Sequence, residues 1–329
     1  MSQGGRPLLA PVAESASAAD AAELARLVAG DHAEPHRLLG AHPAREGGRN
    51  GVVVRAFHPD AVATECLPAS GGPPLAMHPL GPGGVFGVFL PDVSPSLAYR
   101  VRFHFVDGQV WEREEPYRFL PTLGDLDLHL FNEGTHRRLW EALGAHARRV
   151  DGVDGTAFAV WAPSARRVSV VGDFCGWDGR VFPMRTLGSS GVFELFVPGV
   201  SPGALYKFEI KTRDGALRLK TDPFARAMEL PPGSASRVSA SSYRWGDEAW
   251  LAERARRDPV REPLAVYEVH LGSWARVLEE GNRPLTSEAR PWLIATNVQL
   301  NSKPERRSER KSRRCSLRNG LRFQTPGWR

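Results

Sequence analysis

Apolar and polar residues alternate with a period of two in several parts of the chain, which is the pattern of half-buried β-strands. In residues 98–108, aromatic and aliphatic side chains occupy one set of alternate positions, and Arg and His side chains occupy most of the other. Residues 157–172 contain two further runs of this kind, separated by Pro163 and Ser164. One face of each strand would pack in a core and the other would meet solvent, as in a β-sandwich.

The strand pattern occurs twice. Residues 84–117 match residues 191–224 at a constant offset of 107, with 12 identities in 34 ungapped positions. Upstream, residues 56–61 resemble residues 160–165 at an offset of 104. The period is too long for a solenoid repeat, so the sequence predicts two copies of one β-sandwich.

Helical signals are few. The sequence predicts a short helix from Ser17 to Ala29, a helix over residues 135–143 between the two copies, and a helix from Asp247 to Arg257. Trp250 and Leu251 are expected to be buried in the last of these.

Composition adds little to this picture, but the net positive charge is concentrated in one segment of the chain. The 33 Gly and 27 Pro favour turns and short strands. The three cysteines lack metal-ligand spacing, and the N-terminus lacks the pattern of a signal peptide, so we expect a reducing, cytoplasmic setting. The net charge of +6 comes from residues 287–329, which carry 11 basic and 3 acidic side chains. Binding to nucleic acid would rest on that segment alone and is not favoured, and no membrane span is expected.

The loop Gly172–Asp178 contains two glycines and two aromatic residues. Trp177 has two interpretations: it closes the end of the sandwich core, or it is an exposed platform for a flat apolar ligand face such as a sugar ring. Three histidines, His32, His36 and His42, lie among Pro and Gly without a helix to align them, so a metal site is not favoured.

Residues 161–178, WAPSARRVSVVGDFCGWD, resemble the starch- and glycogen-binding module that precedes the catalytic barrel of glycogen branching enzymes and their relatives. The resemblance implies that Trp177 stacks on the glucan and that Lys207 donates hydrogen bonds to sugar hydroxyls. Cys175 stands where the family usually has Asn. The second aromatic platform of the family is not evident in residues 214–220, and both Trp177 interpretations remain open.

Residues 263–276, PLAVYEVHLGSWAR, resemble the first barrel strand of the α-amylase clan in its branching-enzyme version. A (β/α)₈ barrel needs about 250 residues, and the clan's catalytic carboxylates belong to later strands, so no catalytic residue is predicted here. From Ser287 the resemblance stops. The segment is interpreted as out-of-frame translation, in preference to a polyanion-binding arm or a solvated linker.

The fold class predicted is all-β, with two tandem immunoglobulin-like β-sandwiches, the first strand of an incomplete (β/α)₈ barrel and a disordered tail. The predicted divisions are 1–30 (disordered leader and short helix), 31–130 (first sandwich), 131–245 (second sandwich, similar to a glycogen-binding module), 246–286 (linker helix and first barrel strand) and 287–329 (tail).

The resemblance implies the N-terminal part of a 1,4-α-glucan branching enzyme, whose activity transfers α-1,4 glucan chains to form α-1,6 branches. Without the barrel, this chain is expected to be inactive and limited to binding α-1,4-glucan or glycogen. It is expected to be a monomer without cofactor or metal. The alternatives are a stand-alone glucan-binding or regulatory module, or the N-terminal part of a debranching or trehalose-releasing enzyme.

Overall fold

The computed structural model describes residues 18–258, 260–261 and 276–284. They fall into two compact units, of which the first ends at Tyr243 and the second begins at Arg244. The predicted barrel strand at 263–276 lies outside the described residues except for Arg276, and the tail at 287–329 lies entirely outside them.

Helices are short within the described residues. They are α1 (Ala18–Val28), α2 (Asp125–Glu133), α3 (Leu139–Ala142) and α4 (Glu248–Ala255). Single turns of 3₁₀-helix occur at Pro35–Arg37, Pro116–Arg118, Asp173–Cys175 and Leu278–Glu280. No helix in this described part is long and apolar enough to cross a membrane.

Two of the helix predictions need correction. The helix expected over 135–143 begins only at Leu139, because Gly134 adopts the left-handed conformation (φ 72°) and ends the unpredicted helix α2. In α4, Trp250 and Leu251 are 58% and 47% exposed instead of buried. Helix α1 agrees with the prediction, and Gly30 (φ 64°) follows its end.

The first sandwich is built from seven antiparallel strands. They are β1 (Gly40–Glu46), β2 (Arg49–Phe57), β3 (Ala61–Pro68), β4 (Leu75–Pro79), β5 (Val85–Pro91), β6 (Tyr99–Phe105) and β7 (Val110–Glu114). Their order is β1-β2-β5-β4-β3-β6-β7, so β4 joins one half of the sandwich to the other. Side chains from both halves form one core, including Val54, Val88, Tyr99 and Phe103.

The second sandwich has two separate sheets. Its strands are β8 (Gly144–Val150), β9 (Val153–Trp161), β10 (Ala165–Gly172), β11 (Arg185–Thr186), β12 (Val192–Pro198), β13 (Leu205–Thr212), β14 (Leu217–Lys220), β15 (Ala227–Met228) and β16 (Ser236–Arg237). One sheet has the order β11-β12-β9-β8, and the other has β10-β13-β16-β15 with β14 also paired to β13. In the second unit, β17 (Arg276–Val277) and β18 (Arg283–Pro284) form a hairpin. The all-β prediction of two tandem sandwiches is therefore confirmed.

The repeat extends further upstream than the predicted range. Strands β5 and β12 begin 107 residues apart, and β1 and β8 begin 104 apart. Leu-Gly-Ala-His occurs at residues 39–42 and again at 143–146. In each copy the histidine ring Nε2–H donates to the leucine carbonyl at 2.9 Å, from His42 to Leu39 and from His146 to Leu143. His42 therefore has a structural partner in the turn that starts the sandwich.

The segment between the copies covers the outer face of the β11-β12-β9-β8 sheet. Phe119 packs on Phe196 with ring centroids 4.8 Å apart, and Leu123 packs in a second small cluster with Val192. Glu194, fully buried on β12, accepts hydrogen bonds from Thr122 N–H and Oγ1–H at 3.2 and 2.7 Å. Burial on both faces explains why β12 is apolar at nearly every position.

The two sandwiches share an apolar core. Its largest cluster combines residues of the first copy and α1 with the interior of the second, among them Leu27, Phe57, Tyr117, Phe158 and Phe182. The Tyr117 hydroxyl donates to the Pro183 carbonyl at 3.2 Å across this interface. Asp31, after α1, forms ion pairs with Lys211 and Arg166 of the second copy. The first unit is thus one packed body.

Candidate functional site

The loop Gly172–Asp178 leaves the end of β10 in a tight turn that only glycine permits at its first position. A Cβ on Gly172 would lie 2.1 Å from the Leu205 carbonyl oxygen and 2.6 Å from the Phe174 ring. Phe174 turns inward and stacks on Phe158 with ring centroids 6.0 Å apart. Phe174 therefore anchors the loop to the core, and Trp177, the other aromatic residue of the loop, lies at the surface.

Trp177 is held in an uncommon backbone conformation at the tip of this loop. Its φ is 62°, in the left-handed region that bulky residues rarely adopt. Its backbone N–H donates to the Gly172 carbonyl at 3.0 Å, and its indole Nε1–H donates to Asp173 Oδ1 at 3.0 Å. The residue is 36% exposed. The indole is therefore fixed at its polar edge while part of its surface meets solvent.

Cys175 takes part in the hydrogen bonding of the loop. Its Sγ accepts from the Gly172 N–H at 3.4 Å and lies 3.5 Å from the Gly172 carbonyl oxygen. Burial raises the pKa of this thiol, so it stays protonated and can donate to the carbonyl. Sulfur is a weak partner in both directions. The loop thus closes on a weaker pair of bonds than an amide side chain would supply.

Lys207 lies on β13 beside the strand that leads into the loop. It is paired with Val171 in the register of β10 and β13, and its neighbour Tyr206 is paired with Gly172. Its Nζ donates to Ser234 Oγ at 2.8 Å. Tyr206 and Phe208 are buried in the core, so Lys207 points to the opposite, outer face of the sheet.

The strand after the next turn, β14, carries two exposed leucines and no aromatic residue. In β14, Leu217 and Leu219 are 60% and 52% exposed. They pair with Lys211 and Glu209, so they share the outer face with Lys207. Sequence reasoning missed these two positions, although the alternation Leu-Arg-Leu-Lys at 217–220 marks them.

The histidines considered for a metal each have another role in the fold. His32 Nε2 lies 2.6 Å from Glu23 Oε2, and His36 packs edge-on against Tyr117. Burial lowers the pKa of His32, His36 and His42, which keeps the rings neutral. In the part of the chain that the structure describes, no group of three or more His, Cys, Asp or Glu side chains could hold a metal ion.

Two family models match this chain. Residues 20–117 match "alpha-1,4-glucan branching enzyme GlgB, N-terminal domain". Residues 142–225 match "Carbohydrate-binding module 48 (Isoamylase N-terminal domain)". The first match covers most of α1 and the first sandwich, and the second covers most of the second sandwich, including the loop and Lys207.

Curated relatives give the same result. The 1,4-alpha-glucan branching enzyme GlgB of Myxococcus xanthus (strain DK1622) is 52% identical over 268 residues, covering 80% of this chain and 36% of that protein. That of Rhodococcus jostii (strain RHA1) is 52% identical over 263 residues, covering 79% and 35%. That of Mycolicibacterium paratuberculosis (strain ATCC BAA-968 / K-10) is 50% identical over 290 residues, covering 86% and 38%. The chain thus spans little more than a third of the length of these relatives.

Among solved structures, pullulanase type I from Bacillus subtilis str. 168, complexed with maltose, matches with a TM-score of 0.28 and 19% identity. This match covers 63% of this chain and 28% of that chain. The two family models and the relatives at about half identity carry the assignment. Residues 20–117 of this chain therefore belong to the family of N-terminal domains of the 1,4-alpha-glucan branching enzyme GlgB, and residues 142–225 belong to carbohydrate-binding module family 48.

Proposed function

We propose that the second sandwich binds an α-1,4-glucan through the loop Gly172–Asp178, with Trp177 as the platform and Lys207 as a hydrogen-bond donor. The observation that supports this most is the fixed indole of Trp177, which is partly exposed and tied to Asp173 at its polar edge. A pyranose ring has an apolar face that packs on an aromatic plane, and a fixed platform loses little side-chain entropy on binding.

The surface beside the platform suits a sugar chain. Lys207 supplies a cationic donor on the outer face of the sheet, and its Nζ donates to the hydroxyl of Ser234. A sugar hydroxyl can replace that partner at small cost, because one neutral acceptor is exchanged for another. Leu217 and Leu219 offer exposed apolar surface on the same face. Aliphatic contacts are weaker than aromatic stacking, so we expect modest affinity.

The proposed binding is tested with the Trp177→Ala variant of the full 329-residue chain and soluble maltoheptaose or glycogen. Loss of one stacked ring costs about 1–3 kcal/mol, by analogy with base stacking, so the dissociation constant rises by at least about fivefold. Isothermal titration calorimetry or affinity electrophoresis in glycogen gels measures the change. Trp140→Ala is the matched control, because Trp140 is 55% exposed but belongs to α3 and not to the loop. Equal binding by both variants contradicts the proposal.

We propose that this binding serves the branching of α-1,4-glucans, in which a chain segment is transferred to a 6-hydroxyl. The support is that curated relatives at about half identity are named 1,4-alpha-glucan branching enzymes, which favours this activity over debranching or trehalose-releasing chemistry. The chain itself is expected to be inactive, because the clan's paired catalytic carboxylates are not found in it. Branching of amylose by the purified 329-residue chain, followed by iodine absorbance, would contradict that expectation.

We propose further that the chain acts as a monomer in the cytoplasm, without nucleic acid as a partner. The division of the folded body at 31–130 and 131–245 is likewise proposed, and the family matches at 20–117 and 142–225 support its approximate position. Sedimentation velocity tests the monomer, and it is contradicted by a sedimentation coefficient that rises with protein concentration.

A further inference from the structure

A cleft of about 490 Å³ lies between the two sandwiches. Its first wall is β7, the last strand of the first sandwich, with Trp111, Arg113 and Glu114. Its second wall belongs to the second sandwich and includes Asp154 at the start of β9 and Val200 beyond the end of β12. The volume falls in the range of about 300–1,000 Å³ that is typical of small-ligand sites.

Trp111 is held in place beside this cleft. The edge of His58 meets its ring at 5.4 Å between centroids, and Phe182 meets it edge-on at 6.2 Å. The Arg113 guanidinium lies 4.8 Å from its centroid. The indole is half-buried, and it lines the cleft with the surface that these neighbours leave uncovered. It is therefore a preorganised apolar surface, which is the property that makes an aromatic residue an effective platform.

The Arg113 guanidinium lies behind the wall of the cleft, 5.0, 4.8 and 4.7 Å from the ring centroids of Phe103, Trp111 and Phe182. The residue is only 8% exposed, and its Nη2 donates a long hydrogen bond of 3.4 Å to the Phe57 carbonyl. Its Nε and Nη1 have no hydrogen-bond partner in the described part of the chain. Buried polar groups are normally paired, so each such group calls for an explanation. Here the explanation is cation–π packing of the guanidinium on the three rings, which also fixes the Trp111 indole beside the cleft.

The carboxylates that line the cleft are each paired with an arginine. Glu112 is paired with Arg100 at 2.6 Å, and Glu114 is paired with Arg118 at 3.0 Å. Asp154, on the opposite wall, is paired with Arg149 at 2.6 Å. Each of these carboxylates is thus balanced by an arginine, but it keeps lone pairs that can accept from hydroxyl groups. Neutral ligands with many hydroxyls fit this arrangement.

We propose that this cleft is a second glucan site, occupied by a short segment of neutral α-1,4-glucan that packs on Trp111 and hydrogen-bonds to Asp154. The proposal rests on the proposed function only in the choice of sugar. Phe174 links the two sites, because it belongs to the loop that carries Trp177 and also lines the cleft. One glucan chain could thus reach both sites, or two chains could be held side by side.

The site is tested in the full 329-residue chain labelled with 5-fluorotryptophan and titrated with maltoheptaose. Each of the nine tryptophans gives its own ¹⁹F signal, and Trp111→Phe and Trp177→Phe assign the two that matter. We expect the Trp111 signal to shift on titration, and to shift also in Trp177→Ala. A Trp111 signal that does not move, or that moves only when Trp177 is present, overturns the second site.

Two variants and their matched controls localise the effect. Val153→Tyr fills the cleft from the second wall and should raise the dissociation constant seen at Trp111 at least about tenfold, whereas Val106→Tyr, on an 87% exposed turn position, should not.

Asp154→Ala should raise the dissociation constant seen at Trp111 about three- to tenfold by removing one hydrogen bond. Asp92→Ala removes a similarly exposed aspartate paired with Arg49, and it should have no effect. Equal affinities for Asp154→Ala and Asp92→Ala contradict the site even if Val153→Tyr fails to fold.

The outcomes separate the two proposals. A shift at Trp177 without a shift at Trp111 overturns the second site and leaves the proposed function standing. A shift at Trp111 without one at Trp177 supports the cleft and removes Trp177 from the proposed function. No shift at either residue in the unmodified chain overturns both.

Discussion

Glu115 and Asp222 occupy the same position of the repeat but lie in different surroundings. Asp222 accepts a hydrogen bond from the Tyr206 hydroxyl at 2.5 Å and another from Phe224 N–H at 2.8 Å. In the first copy, the hydroxyl of the equivalent Tyr99 has no hydrogen-bond partner within the described residues. Burial raises the pKa of Glu115 to about 7, although the charge of Arg113 opposes the rise. The first sandwich thus contains an acid that is partly protonated at neutral pH.

This pKa predicts a specific pH dependence of stability. The carboxyl has a pKa of 4.5 when unfolded and about 7 when folded, so the folded protein binds more protons between those values. Its contribution therefore lowers the free energy of unfolding as pH rises from 4.5 to 7, by about 3 kcal/mol in all. In Glu115→Gln we expect this part of the decrease to vanish when urea unfolding is compared at pH 5 and pH 8. Glu114→Gln is the control, and the proposal fails if both variants keep the pH dependence of the unmodified chain.

At the scale of elements, the segment 119–143 shows what sequence patterns can and cannot indicate. Period-two alternation marked the segments that form β6, β9 and β10. The same rule missed α2, whose Leu126 is 68% exposed and whose sequence gives no strong apolar stripe. Gly134 ends that helix, but only its φ of 72° shows that the following Thr135 does not start another. Local patterns could not show that this segment covers a sheet.

Local sequence patterns also predicted only part of the candidate glucan site. The turn residues and aromatic residues of 172–178 marked a loop, and the resemblance singled out Trp177 and Lys207. The exposure of Trp177 and the hydrogen bond of its indole to Asp173 depend on how the loop closes, so only the structure could supply them. The cleft beside Trp111 was out of reach of sequence reasoning, because it is formed by two strands from different copies.

The buried ion pair between Arg185 and Glu194, beneath the segment that joins the two copies, is expected to be important for stability. Arg185 Nε donates to Glu194 Oε2 at 2.8 Å, and Arg185 Nη1 donates to the Phe119 carbonyl at 3.1 Å. Arg185→Leu leaves a buried carboxylate without its counter-charge, so we expect a loss of about 3–5 kcal/mol in the free energy of unfolding. Arg149→Leu breaks an exposed pair with Asp154 and should cost less than about 1 kcal/mol. Chemical unfolding followed by circular dichroism measures both, and similar losses would show that the buried pair has no special role.

At the scale of the whole molecule, the shared core predicts that the two sandwiches unfold together. Leu39 and Phe57 of the first copy belong to the same apolar cluster as Phe158 and Phe182 of the second. Separating the copies would expose this surface to water at a cost that grows with its area. We expect the slowest amide protons of β5 and β12 to exchange with the same free energy of opening in native-state hydrogen exchange. Clearly different values would mean that each sandwich is stable alone.

The common core has a practical consequence for anyone who wants to use the second sandwich as a portable sugar-affinity tag. A segment cut to the family match at 142–225 would lose the packing of Leu27, Phe57 and Tyr117 against its core. The Pro183 carbonyl would also lose the hydrogen bond that the Tyr117 hydroxyl donates. The segment would also lose Phe119 from the far side of its other sheet. Newly bared aromatic surface of this kind favours self-association. A useful tag would start before α1 and carry both copies.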